Sequence, residues 1–189
     1  IDQCNGWELD SVLERAMEAF WTHGYGGTSP AQLAEVTGIA KGSLYNAFSS
    51  KRDLFDRCLD LYHQRVSELA HRLLERPGST REVIEAALTA VVAADLANPR
   101  GCLIGNTAVE LAGQDPEVAR KLARFQGEST AWFAERILRG QVEGDVSRAR
   151  DAQVLAEHFA NTLAGLRVTA MTQEAAVLHR IVATSLVVL

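Results

Sequence analysis

Apolar residues recur along this chain at spacings of three and four and nowhere alternate singly, so the pattern predicts helices and no strands. Leu9, Val12, Leu13, Ala16, Met17 and Phe20 form one stripe, which predicts a helix over 8–23 ended by Gly24 as a left-handed cap. Ser29 and Pro30 supply an N-cap and a first-turn proline for a helix over 30–37, closed by Gly38. Leu44 and Phe48 stack at i and i+4 on barely two turns, 41–48. Ser50 with Asp53 resembles a capping box, opening a long helix to about Glu75 whose inner stripe is Leu54, Phe55, Cys58, Leu61, Tyr62 and Val66.

Pro77-Gly78 breaks that run, and Ser79 with Glu82 predicts a capped helix over 80–97. Asn98-Pro99-Arg100-Gly101 stops it. A short helix, Cys102 to Leu111, follows, and Asp115-Pro116-Glu117 starts a long one to about 139, then a loop from Gly140 to Arg150. Helices over 151–170 and 174–188 finish the chain. The expected fold is all-α, about nine helices, with a small N-terminal unit over 1–52 and a larger helical unit over 53–189. Val154, Leu155, Phe159, Leu163 and Leu166, then Val177, Leu178, Ile181, Val182 and Leu186, are more apolar surface than a monomer need bury. A homodimer through the last two helices is expected; a single large core is the alternative.

Residues 24–55 read as a helix-turn-helix: Leu33, Ala34, Ile39, Leu44 and Phe48 make a small core, leaving Gly42, Ser43 and Asn46 on an outer arc with Lys41 and Tyr45 on its flank. The net charge of -5 excludes a global positive field, so any grip on nucleic acid must be local. From Thr37 to Arg52 the ionisable residues are Lys41, Lys51 and Arg52, with no acid. Thr28 and Ser29 at a helix start, the Tyr45 phenol and Lys51 are candidates for phosphate, because exposed donors and the helix dipole favour an anion. Lys41, Ser43 and Asn46 can reach base edges, while Gly42 admits close backbone approach. The expected partner is double-stranded operator DNA. A helical dimeric interaction protein, the competing class, leaves this acid-free segment without a purpose.

The three cysteines, at 4, 58 and 102, show no paired or metal-ligand spacing, and no run of about 18 apolar residues occurs, so a reducing cytoplasm is expected, with no membrane. No catalytic or nucleotide fingerprint is present, so neither an enzyme nor a cofactor nor a metal is expected. Asn106, Glu110, Phe125, Ser129, Phe133, His158 and Thr162, polar or aromatic on apolar middle helices, are the mix of a small-molecule pocket and equally of a packed core. Cys102 follows Gly101 at a helix start beside Arg100, where dipole and cation favour the thiolate. As a buried small hydrophobe it would be inert.

The run G-Y-x-x-T-S through K-G-S-L-Y-x-x-F-x-x-K-x-x-L-F, Gly24 to Phe55, resembles the N-terminal domain of the TetR family of transcriptional regulators. The resemblance implies a homodimer whose last two helices form a four-helix bundle. It also implies an effector pocket among the middle helices, for which Cys102 and the residues above are the candidate lining, and repression relieved by a small-molecule inducer; activation is the alternative sense. Gly101-Cys102-Leu103 with Asn106 and Glu110 is similar to a branch that includes electrophile and oxidant sensors.

Overall fold

The computed structural model describes the backbone of residues 6–189 and side chains from residue 9 onward; Cys4 lies outside the described residues. Nine α-helices follow in chain order among them: α1 (Gly6–Gly27), α2 (Pro30–Thr37), α3 (Lys41–Ala47), α4 (Lys51–Leu74), α5 (Thr80–Ala97), α6 (Leu103–Leu111), α7 (Pro116–Glu143), α8 (Ala152–Thr169) and α9 (Ala175–Ser185). A single 3₁₀ turn, Leu186–Val188, replaces the last turn expected of α9, and no helix of the described residues is long and apolar enough to cross a membrane.

The starts are set by short polar side chains taking orphan amides. Ser29 closes a capping box with Gln32, Ser79 one with Glu82, and Asp115 accepts from the amides of Glu117 and Val118. At α4, Ser50 accepts from Asp53 N as expected, while the Asp53 carboxylate reaches one residue further back, to Ser49 N.

Two apolar clusters result. Ala16, Phe20, Leu33, Leu44, Phe48, Leu54 and Phe55 pack α1 to α4 together, but Leu103, Val118, Leu122 and Phe125 from α6 and α7 complete that cluster. The second joins Ile84 and Leu88 of α5, Phe133 and Ile137 of α7, Phe159 of α8, and Leu178 and Val182 of α9. Each such side chain contributes about 1.5–3 kcal/mol, so the small N-terminal unit draws a substantial part of its core from beyond residue 53. α4 runs from one cluster to the other.

Most of the apolar surface expected at a dimer interface is used inside this chain. Leu155, Phe159, Leu166, Leu178, Val182 and Leu186 are buried in the second cluster. What faces outward on α8 and α9 is narrower: Val154 is 63% exposed, Val168 67% and Ile181 36%.

Two glycines act differently from expectation. Gly24 does leave the helical region, at φ 75 and ψ 172, but α1 resumes for a further turn to Gly27 instead of ending. Gly140 does not stop α7, which runs on to Gly144 at φ 88. Gly140 is buried, and a Cβ there would collide with Thr80 Oγ1 and Asp145 Oδ1. Its role is close approach to the start of α5, where Asp145 accepts from Thr80 N at 2.5 Å and Thr80 Oγ1 at 2.9 Å.

Gly140→Ala is therefore expected to lower stability by about 1–3 kcal/mol through overpacking, despite the better helix propensity of alanine. Gly127→Ala in the same helix, where a Cβ meets no atom within 4 Å, is expected to raise it by roughly 0.5–1 kcal/mol. Urea unfolding midpoints of the two variants must move in opposite directions.

Candidate nucleic-acid interface and effector cavity

The turn between α2 and α3 is built by Thr37, whose hydroxyl donates to Leu33 O at 2.6 Å, and by Gly38 at φ 72. Leu33, Leu44 and Phe48 are fully buried beneath it, with Ala34 and Ile39 half-buried. Because Leu44 and Phe48 take the inner side of α3, Lys41, Gly42, Ser43 and Asn46 all stand exposed on the other. Nothing lies within 4 Å of where a Gly42 Cβ would be, so this face is open to close approach by another surface. Ser29 is exposed at the start of α2, its hydroxyl oxygen accepting from Gln32 N at 3.2 Å.

Thr28, Tyr45, Lys51 and Arg52 each sit in surroundings that their sequence positions do not reveal. Thr28 has no exposure; its hydroxyl donates inward to Gly24 O at 2.7 Å and cannot reach a phosphate. The Tyr45 ring is half-exposed, but its hydroxyl is buried with no hydrogen-bond partner, so a phosphate contact requires the side chain to turn outward. Burial pushes that phenol above its ordinary pKa. Lys51 is half-buried, its ammonium 4.3 Å from the Tyr25 ring centroid; burial lowers its pKa against the pull of Glu110. Arg52 turns away to form ion pairs with Asp56 at 2.9 Å and with Asp115. The outward charge of this segment is thus carried by Lys41 and Lys51, one fewer than its composition suggests. Arg52 was counted because its acidic partners come from the next turn of α4 and from the start of α7.

The same contacts tie the reading unit to the rest of the chain. At the Gly24 break, Glu110 of α6 accepts from Tyr25 N at 2.9 Å and Gly26 N at 2.7 Å. Trp21 Nε1 donates to Gly101 O at 3.1 Å, and Arg100 pairs with Glu18 while its guanidinium lies 4.2 Å over the Trp21 ring. Expected as a pocket residue, Glu110 instead caps the resumed turn of α1.

A cavity of about 370 Å³ lies between α4, α6, α7 and α8, within the range of small-molecule sites. Of the expected pocket residues, Cys102, Asn106 and Ser129 are on its wall. Phe125, Phe133, His158 and Thr162 are not. Phe125 is buried against His63, ring centroids 3.9 Å apart, where His63 Nε2 also meets Glu128 Oε2 at 2.6 Å. Phe133 is buried against Phe159, and His158 is exposed on the outer side of α8. Thr162 donates to His158 O at 2.9 Å. Polarity along a helix did not say which side of it faced the hollow. Gln126 and Arg167 line the cavity and were missed; the signal for Arg167 was a lone cation within the apolar run Leu163 to Val168.

The cation expected beside Cys102 is also a different one. Arg100 is engaged with Glu18 and Trp21, whereas Arg167 Nη1 donates to Tyr62 Oη at 3.0 Å, and Tyr62 in turn donates to Cys102 Sγ at 3.6 Å. Burial first, then proximity to Cys102, holds the Tyr62 phenol well above its ordinary pKa. Cys58 is fully buried and its thiol is pushed up to about 12, which leaves it a packing residue.

The Arg52 hydrogen bond holds the Asp115 carboxyl down to about 2 from its usual 3.8. Because the folded pKa is depressed, the stabilisation is present above the unfolded value and lost as pH falls through the folded one. Asp115→Asn keeps the capping oxygen and loses the charge. Its deficit in melting temperature against the parent chain is expected at neutral pH and should vanish below about pH 2.

Residues 12–58 match the family described as "Bacterial regulatory proteins, tetR family", and residues 78–184 match "Tetracyclin repressor-like, C-terminal domain". The chain is 36% identical over 138 residues to the uncharacterized HTH-type transcriptional regulator YezE of Bacillus subtilis (strain 168), covering 72% of this chain and 71% of that one. It is 29% identical over 171 residues to the HTH-type transcriptional repressor ComR of Escherichia coli (strain K12), covering 87% and 80%. A cysteine-mutant form of the TetR family transcriptional regulator CifR, complexed with 26-bp double-strand operator DNA, has a TM-score of 0.85 and 34% identity over 94% of each chain. With both parts of the chain matched and the exposed α3 face standing where a helix-turn-helix needs it, this protein belongs to the TetR family of transcriptional regulators.

Proposed function

We propose that the chain acts as a homodimeric repressor that holds a palindromic operator through α3 and lets go when a small molecule occupies the cavity. The observation that carries this reading is the double engagement of α6. Its first turns, with Cys102 just before them, line the cavity, and Glu110 near its end caps the two amides at the break in α1. A ligand that displaces α6 must therefore strain or release the cap, changing how α1 carries the reading unit. For the ligand to act it has to bind the displaced state more tightly than the operator-bound one.

Lys41, Ser43 and Asn46 supply the exposed side chains for base edges, Gly42 the close approach, and Ser29 and Lys51 phosphate contacts, with Tyr45 joining by rotation. The unit over 1–52 reads DNA, and that over 53–189 binds the effector and the second subunit. Val154, Val168 and Ile181, exposed on α8 and α9, suit a partner copy. Two reading helices about 34–36 Å apart, or a multiple, would then call for matched half-sites. Repression is the sense printed for the Escherichia coli relative.

Gel-shift titration against the chain's own upstream promoter fragment tests this. The parent chain is expected to retain the fragment at low salt, and failure to do so would refute the operator reading. Lys51→Ala is expected to weaken binding evenly across sequences and reduce the salt slope by about 1. Asn46→Ala should instead relax base preference, by about 1–3 kcal/mol at its contacted position. Glu110→Gln, remote from α3, is expected to lower operator affinity by about 0.5–2 kcal/mol through the loosened cap.

A further inference from the structure

We propose that the cavity takes a small amphipathic monocarboxylate, an alkanoate or arylalkanoate, whose anionic end is held by the Arg167 guanidinium. The inference rests on the effector reading of this cavity and names the chemistry of what enters it.

Among the described residues, Arg167 is the one charged residue on the cavity wall, and no carboxylate lines it. Its side chain is only 12% exposed, so its charge sits largely out of water. A buried cation is stable only when hydrogen-bonded acceptors or a counter-anion surround it. Here Tyr62 Oη accepts one bond, at 3.0 Å. The nearest carboxylate, Asp95 Oδ2, stays 4.0 Å from Arg167 Nε, beyond hydrogen-bond reach, and is itself buried without a partner. Asp95 does not line the cavity. The guanidinium therefore holds an incomplete set of acceptors and borders a hollow large enough to admit one. Its planar fork matches the two oxygens of a carboxylate. Burial also raises the Asp95 carboxyl above its ordinary pKa, with Arg167 opposing.

The rest of the wall decides what the carboxylate is attached to. Val66, Ile104, Leu122 and Leu163 are apolar; one Asn106 amide N–H and the Ser129 hydroxyl are spent on Arg100 O and Phe125 O, and Gln126 adds a neutral polar side chain. One cation suits one negative charge, which disfavours a phosphate dianion, and it repels an amine. At about 30 Å³ of liquid volume for each water-sized group, the cavity of about 370 Å³ holds on the order of a dozen such groups. That size is an eight-carbon alkanoate or a phenylalkanoate.

Calorimetric titration of the full chain with octanoate, phenylbutyrate, octanamide and octylamine tests the assignment. Octanoate is expected to bind about tenfold or more tightly than octanamide, since charge-assisted hydrogen bonds exceed neutral ones by that margin, and octylamine should not bind. Arg167→Gln is expected to bring octanoate down to the octanamide affinity while leaving octanamide unchanged, and Arg167→Lys to restore part of the preference. Equal affinities for octanoate and octanamide in the parent chain, or an unchanged ratio in Arg167→Gln, would overturn the anion assignment and leave the cavity as an effector site for neutral molecules. If none of the four probes bound, and none changed the gel-shift midpoint, the effector reading itself would fall. Should Arg167→Gln not fold, Ala164→Trp fills the cavity from its wall. It is expected to abolish octanoate binding, and persistence of binding would place octanoate elsewhere and overturn the proposal.

Discussion

Gly24 turns α1 through a backbone conformation open essentially to glycine alone, and the two amides that this break orphans are taken by a single carboxylate from α6, 85 residues away for Tyr25. This cap joins the reading unit to α6, beside the apolar packing of Leu103, Val118, Leu122 and Phe125 and the Arg52–Asp115 ion pair. Thr28 closes the break from within by donating to Gly24 O, which fixes the angle at which α2 departs. Lys51 sits over the Tyr25 ring on the other side. A carboxylate shared by two backbone donors is a charge-assisted interaction, and the Tyr25 ring, 4.8 Å from that of Phe55, packs the resumed turn against the first apolar cluster. The break is held firmly in one arrangement and is sensitive to wherever α6 goes.

The electrostatics follow the same economy. The chain is acidic overall, and its outward cations near α3 reduce to Lys41 and Lys51 once Arg52 is committed to Asp56 and Asp115. Arg52 thereby fastens the start of α4 to the start of α7 instead of meeting DNA. On the proposed reading, two outward cations, helix-start amides and neutral side chains would give a modest grip whose salt dependence is shallow.

The cavity repeats the pattern of a charge left partly satisfied. Arg167, Tyr62 and Cys102 form a hydrogen-bonded series along its wall, and Asp95 stands near without closing the pair. An apolar core of the same volume would be more stable. On the proposed reading, the partly satisfied fork is a local cost that a suitable anion would relieve.

Helix number, most helix starts and the outward arc of α3 were determined by the chain alone, because caps and three-four apolar spacing are local and act within one or two turns. Ser29, Ser79 and Asp115 could be read directly, and so could Leu33, Leu44 and Phe48. What only the tertiary structure decided is every relation across the chain. Gly140 looked like a helix stop, because a glycine needed for close approach of Thr80 and Asp145 is the same residue as one needed for a turn. Arg52 looked like an unpaired cation of an acid-free segment and Arg100 like the neighbour of Cys102 until Asp115, Glu18 and Trp21 were brought beside them. Glu110, Phe125, Phe133, His158 and Thr162 share the polarity of pocket residues, but which side of a helix faces a hollow depends on how neighbouring helices cross, and no local pattern encodes that. Packing therefore assigned the cap to Glu110 and the cavity cation to Arg167, since both roles exist only where distant segments meet.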